Sequence, residues 1–240
     1  AQSVGSSTFI LTCRRMQNDP GAIRSTDASS TLEVALENTR RGAEAICRGG
    51  GLFATTRLAA EIEALRRWAE RSGRFCHFEE LSRPPDAFGY EHEVWFPKTG
   101  SENPRVLKAT YDNSFGVMPD GSEATPSGYL DRLRLQNQVF GDDIELEGII
   151  EPSFALIRII TSQQAIQGRP AEIEEIEMFF SQHGFQRFVW RGKSAWFREV
   201  DRVICADTHG GNILVTHEGA MAAIDVPVML APADFKLAVA

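Results

Sequence analysis

Two carboxylates and one carboxamide towards the C-terminal end of the chain have the types and spacing for metal-assisted chemistry. Asp207 opens the run Asp207-Thr208-His209-Gly210-Gly211-Asn212, and Asp225 follows beyond it. Between them, Ile213 to Val215, a turn over Thr216 to Gly219, and Ala220 to Ile224 read as a β-hairpin. A hairpin that folds back carries Asp225 towards Asn212 and Asp207, so that two carboxylates and an amide oxygen share one end of a sheet. Oxygen donors of this kind suit Mg²⁺, which takes one or two carboxylates together with substrate phosphates. The spacing alone is a weak signal. Ordinary composition produces D-x-x-x-x-N on the order of once in two chains of this length, and Asp, Asn and Gly also dominate plain turns. The surrounding elements have to decide.

Composition narrows the classes. The 240 residues carry 25 basic and 33 acidic side chains, a net charge of −8, with no basic stripe, so nucleic-acid binding driven by phosphate contacts is not expected. At 42% hydrophobic, the chain can bury one large core or two smaller lobes. Cys13, Cys47, Cys76 and Cys205 form no C-x-x-C pair and read as thiols in a reducing compartment. No apolar run reaches the length of a membrane span, and the first residues lack a basic-then-apolar signal pattern. The expectation is a cytoplasmic protein without a membrane partner.

Upstream, the pattern alternates between helix and strand. The first thirty residues suggest only a short strand at Thr8 to Cys13. Ser30-Thr31-Leu32-Glu33 has capping-box spacing, and a helix follows to Arg48, stopped by Gly49-Gly50-Gly51. A second helix starts at Thr55 or Thr56, with Leu58, Ile62, Leu65 and Ala69 at helical spacing and Ser72-Gly73 at its end. Glu61, Glu63, Arg66 and Arg67 read as its solvated face. Arg83-Pro84-Pro85-Asp86 marks the best boundary. Alternation in Gly89 to Phe96 and in Arg105 to Thr110, with Pro, Gly and Asn between them, predicts a hairpin. Thr125-Pro126 is a good helix start, with Tyr129, Leu130 and Leu133 on an apolar side and Phe140-Gly141 at the end. Phe154 to Thr161 is the most strand-like run. A helix over Ala171 to His183 is expected to turn Ile173, Ile176 and Phe180 inwards. Two short strands follow at Phe185 to Val189 and Ser194 to Phe197. The aromatics from Phe179 to Phe197 read as core rather than a ligand cage.

In this order the elements resemble phosphoryl-transfer enzymes of the protein-kinase type. The loop Asp207-x-His209-x-x-Asn212 is more similar to that of small-molecule kinases, such as aminoglycoside and choline kinases, than to H-R-D. A closer resemblance comes from five groups of residues. They are Gly89-x-Glu91-His92-x-Val94; Ala124-Thr125-Pro126-x-x-Tyr129-Leu130-x-Arg132-Leu133 with Asn137; Phe140-Gly141-Asp142; Thr161-Ser162-Gln163; and the Asp207 loop with Ile224-Asp225-Val226. Together these resemble the kinase-like domain of phage and mobile-element polyvalent proteins, over roughly the last two-thirds of the chain. The resemblance implies ATP and Mg²⁺. Asp207 would be the catalytic base, with Asn212 beside it, and Asn212 and Asp225 would hold the metal. Lys108, in Val106-Leu107-Lys108, would position phosphates under a loop containing Gly89 and Glu91. Ser162, Gln163 and Gln164 would form the hinge that holds adenine.

The expected fold is thus α/β (α+β), two-lobed and protein-kinase-like, with a helical N-terminal extension and a truncated C-lobe. Its expected divisions are residues 1–86, 87–161 and 162–240. Two departures stand out. The helix after the lysine strand has no Glu in its middle, only Asp131, with Asn137 the nearest polar substitute. Asp225-Val226-Pro227 replaces D-F-G, and 15 residues follow Asp225. The expected activity is phosphoryl transfer from ATP to the hydroxyl of a small molecule or protein. The alternative is a pseudokinase that binds nucleotide or protein without turnover.

Overall fold

The computed structural model describes residues 27–48, 56–76, 79–98, 100, 102–153, 155–190 and 192–237. The expected strand at Thr8 to Cys13 and the glycine stop at Gly49 to Gly51 lie outside these residues, as do Phe154 and Arg191. Helix α1 (Asp27–Arg48) begins three residues ahead of the expected cap at Ser30. Helix α2 (Arg57–Ser72) begins where Thr56 accepts from Ala59 N at 3.3 Å and ends at Gly73, whose φ of 64° is the left-handed stop.

Glu61 corrects the expectation of a solvated face. It is fully buried, accepting from Ser127 N at 2.9 Å and from Arg57 Nε at 2.9 Å. It thus reaches a buried backbone donor, without an intrahelical partner, at the start of helix α3 (Pro126–Phe140), alongside the Thr125 cap. A carboxylate on α2 serving a neighbouring helix leaves no trace in the spacing of α2 itself.

The largest sheet is antiparallel, in the order β1 (Ala87–Phe88), β2 (His92–Trp95), β3 (Arg105–Thr110), β5 (Leu156–Gln164), β4 (Glu145–Ser153). The expected hairpin is β2–β3, with Val94 opposite Lys108. Strand β4 was not expected. Its sequence, E-L-E-G-I-I-E-P-S, interrupts alternation with Gly148 and Pro152, and the register slips between Leu146 and Gly148. Strand β5 runs through the expected hinge residues and ends at Gln164.

The remaining elements are β6 (Gly168–Pro170), α4 (Ile173–Gln182), β7 (Gln186–Trp190), β8 (Lys193–Arg198), β9 (Val203–Ala206), β10 (Ile213–Thr216), β11 (Met221–Ala223) and β12 (Val228–Leu230). They build two more antiparallel sheets, β11-β10-β6 and β12-β9-β8-β7. The expected hairpin is present as β10–β11, with Ile213 opposite Ala223. Ile173 is exposed rather than inward, because it occupies the first position of α4, and the buried stripe is Ile176, Phe179 and Phe180. Strand β12 also went unforeseen, since Val228-Met229-Leu230 is too short to show a period.

Two hydrophobic clusters meet along α3. Tyr129, Leu130 and Leu133 pack with α1, α2, β4 and β5 residues, including Leu32, Leu65, Ile149 and Ile159. Leu135, Val139 and Phe140 pack with Phe179, Phe180, Trp196, Ile213 and Val226. The helical hairpin therefore shares a core with the large sheet. Among the described residues, no helix is long and apolar enough to cross a membrane.

Candidate functional site

The loop between β9 and β10 is fixed at several points. Asp207 has φ +53°, a conformation that Asp tolerates better than most side chains. Asn212 Nδ2 donates to Asp207 O at 2.9 Å and to Asp207 Oδ2 at 3.1 Å. Gly211 N donates to His209 Nδ1 at 2.9 Å, which turns His209 Nε2 towards Asp207 Oδ1 at 3.7 Å. A Cβ on Gly210 would sit 2.5 Å from Ala171 O, so only glycine lets the loop lie this close to the segment before α4. Trp196 Nε1 donates to Thr208 Oγ1 at 3.1 Å from the neighbouring sheet.

The β10–β11 hairpin returns the chain as expected. Ile224 N donates to Asn212 O at 2.9 Å, placing Asp225 directly beyond the rung that ends at Asn212. From the opposite sheet, Lys108 Nζ donates to Ile224 O at 2.9 Å and stands 3.8 Å from Asp225 Oδ1. Asp225 is about half exposed, at 48%, so an ion pair of this length adds little stability. Burial alone would raise the Asp225 carboxyl, but Lys108, then His92 and Arg132, hold it below its ordinary value. The site therefore presents an ionised carboxylate beside a fixed cation.

The β1–β2 turn ends beside this pair, where Glu91 and His92 approach Asp225. Gly89 N donates to His92 O at 2.7 Å and Gly89 O accepts from Tyr111 OH at 2.9 Å, with Phe88 and Tyr90 exposed on either side. Glu91 turns inwards: its carboxylate accepts from Val117 N at 2.8 Å and from both Nη atoms of Arg132. His92, 3% exposed, bonds Tyr129 OH through Nε2 at 2.9 Å. Burial pushes its imidazole down to about 4, so it is neutral at pH 7. Glu91, His92 and Asp225 each offer an atom within 4.8 Å of the others.

Ser162, Gln163 and Gln164 lie at the far end of β5, near the lysine strand: Thr161 is opposite Lys108, and Ser162 opposite Leu107. Ser162 and Gln163 are buried. Gln164 N is taken by Asp143 Oδ1 at 3.0 Å and Ala165 N by Pro104 O at 2.8 Å. Both of those backbone donors already have partners within the protein.

The structure thus brings Lys108 to Asp225, Asp225 to the Asn212 end of the hairpin, and Asn212 to Asp207. Glu91 borders the same space, with an atom within 4.8 Å of one on Asp225, Gly89 lies two residues earlier in its turn, and Ser162 to Gln164 continue the sheet behind Lys108. Asn212 spends its amide nitrogen on Asp207, leaving Oδ1 as the oxygen it can offer a cation. With the ionised Asp225 this is an all-oxygen set that fits Mg²⁺. Arg132 was given no role in the sequence reading. It stands in the run from Ala124 to Leu133 that carries the resemblance, but a basic residue on the apolar side of a helix shows its partner only once the helix is packed.

A family model described as Serine/Threonine/Tyrosine Kinase found in polyvalent proteins matches residues 59–232. No curated protein and no solved structure matches the chain. With well over half its residues matched, the chain belongs to that kinase family.

Proposed function

From this family membership, we propose that the protein transfers the terminal phosphoryl group of ATP to the hydroxyl of a small molecule or a protein, in a Mg²⁺-dependent reaction. The observation that carries the reading is the meeting of Lys108 with Ile224 and Asp225, with Asn212 and Asp207 hydrogen-bonded at the base of the same hairpin. Lys108 orients nucleotide phosphates. Asp225 and Asn212 hold Mg²⁺, which when bound supplies charge neutralisation between the phosphates. Asp207, more than half exposed at the mouth of the loop, accepts the proton of the attacking hydroxyl, and Asn212 Nδ2 keeps its carboxylate oriented. Catalysis is then positioning and electrostatics, as in other phosphoryl transfers.

A second reading is a pseudokinase. It is favoured by α3, which directs an arginine rather than a carboxylate into the site. Transfer of labelled γ-phosphate to water or to a panel of hydroxyl acceptors separates the two. Active phosphotransfer predicts turnover in the parent chain, reduced about 10²- to 10⁴-fold in Asp207→Asn with nucleotide affinity preserved. Equal, background-level transfer by both chains, with nucleotide still bound, supports the pseudokinase.

A further inference from the structure

Glu91 and Arg132 form a largely buried cross-link whose arginine the nucleotide reading leaves unassigned. Glu91 ends the β1–β2 turn, Arg132 lies on α3, and 41 residues separate them in sequence. The carboxylate takes both Nη atoms in a fork, together with Val117 N–H, while Arg132 Nη1 also donates to Val117 O at 2.6 Å. One guanidinium thereby joins the turn, the segment at Val117 and the helix.

Two further features fit this arrangement. Gly116 has φ +77°, and a Cβ there would overlap the Glu91 carboxyl, so the carboxylate occupies the space a side chain would need. Beneath the fork, the Arg132 guanidinium lies 5.4 Å from the centre of the Tyr129 ring, and the hydroxyl of that tyrosine bonds His92. Helix α3 thus grips two consecutive residues where the turn enters β2, Glu91 and His92. The helix is itself braced from behind: Glu61 accepts from Ser127 N, and Arg40 pairs with Asp131 at 2.8 Å.

A guanidinium at 3% exposure tolerates that position only when its donors are matched. The planar fork serves a bidentate carboxylate as a lysine ammonium cannot. In protein kinases the strand lysine pairs with a helix glutamate. Here Lys108 is committed to the Asp225 side, and the link from helix to site runs through an arginine on the helix and a glutamate on the turn.

We propose that Arg132 is a positioning residue: through Glu91 it fixes the β1–β2 turn over the Lys108–Asp225 pair, and so sets how closely the turn covers the phosphates of a bound nucleotide. This rests on the nucleotide reading above. Arg132→Lys keeps the charge and loses the fork; Glu91→Gln keeps an acceptor and loses the charge. Mg²⁺·ATP and adenosine are titrated by calorimetry into the parent, both variants and the double variant, with Asp225→Ala alongside. Hydrogen exchange is followed at residues 87–92.

Each single variant is expected to raise the Mg²⁺·ATP Kd about ten-fold, with adenosine shifted far less and exchange faster in the turn. The double variant should be no weaker than the poorer single one, since both remove the same link. Should Arg132→Lys fail to fold, Glu91→Gln alone carries the comparison. ATP affinities equal to the parent's overturn the proposal, and so does parallel loss of ATP and adenosine, which is what a merely structural cross-link gives. A parent that binds neither ligand, indistinguishable from Asp225→Ala, removes the nucleotide reading itself and this inference with it.

Discussion

Burial at the C-terminal end of α3 pushes the Asp142 carboxyl up to about 7; Asp143 adds to this, while a hydrogen bond from Gln136 Nε2 at 2.7 Å and the charge of Lys108 work against it. The folded chain therefore keeps a proton that the unfolded chain gives up near the ordinary value of 3.8. Stability from this group is complete below that value and declines as pH rises towards 7. Asp142→Asn, which retains an oxygen for Gln136, should be stabilising by about 1 kcal/mol at pH 8, or about 2–4 °C in Tm. Its advantage should shrink towards zero near pH 4, as checked by thermal melts across that range. An advantage independent of pH would point to packing instead. At this scale the sequence was legible where chemistry follows from a local run. Asp207, Asn212 and Asp225 lie close along one hairpin, and a turn necessarily brings them near one another. Glu91, Arg132 and Gly116 were not legible as a set, because their contacts depend on how far α3 stands from the β1–β2 turn.

Helix α3 owes its position to partners in other elements. The Thr125 cap and the Gly141 stop, at φ 69°, were readable from types and order. The additional cap from Glu61 was not, because α2 and α3 are joined through tertiary packing. Burial raises the Glu61 carboxyl, but hydrogen bonds from Ser127 N, from the hydroxyls of Thr125 and Ser127, and from Arg57 bring it below its ordinary 4.5. A group lowered in this way contributes stability that is present above 4.5 and is lost as pH falls through the folded value. Glu61→Ala should cost about 2 kcal/mol at pH 7, since it strands a helix N-terminal donor and empties a buried site. The difference from the parent should narrow as pH drops below 4.5. Chemical denaturation at pH 7 and pH 3.5 measures both, and an undiminished gap at pH 3.5 would contradict an ionised cap. The strands β4 and β12 escaped the sequence reading for opposite reasons: Gly148 and Pro152 break the period of one, and three residues are too few to show a period in the other.

The whole molecule places its candidate chemistry where two packed regions meet. Lys108 comes from the five-stranded sheet over one hydrophobic cluster. Asp225 lies between Ala223 and Val226, which are buried in the other. Their contact spans the junction, and α3 runs through both clusters and holds the two together. The order of helices and strands was enough to suggest a kinase-like arrangement, because each element announces itself locally. The way the N-terminal hairpin merges into the core was not legible, since α1 and α2 look self-sufficient when read alone. If the junction is a nucleotide site, ligand bound there favours the folded chain by mass action. The most direct test is thermal stability with ATP, with and without Mg²⁺, on the parent chain and on Asp225→Ala. A metal–nucleotide site at Asp225 gives a rise of several degrees in the parent at ATP about a hundred-fold above its Kd, requiring Mg²⁺ and absent from the variant. A parent whose melting is unmoved by ATP and Mg²⁺ together, or a variant that responds as the parent does, would contradict a metal–nucleotide site at Asp225.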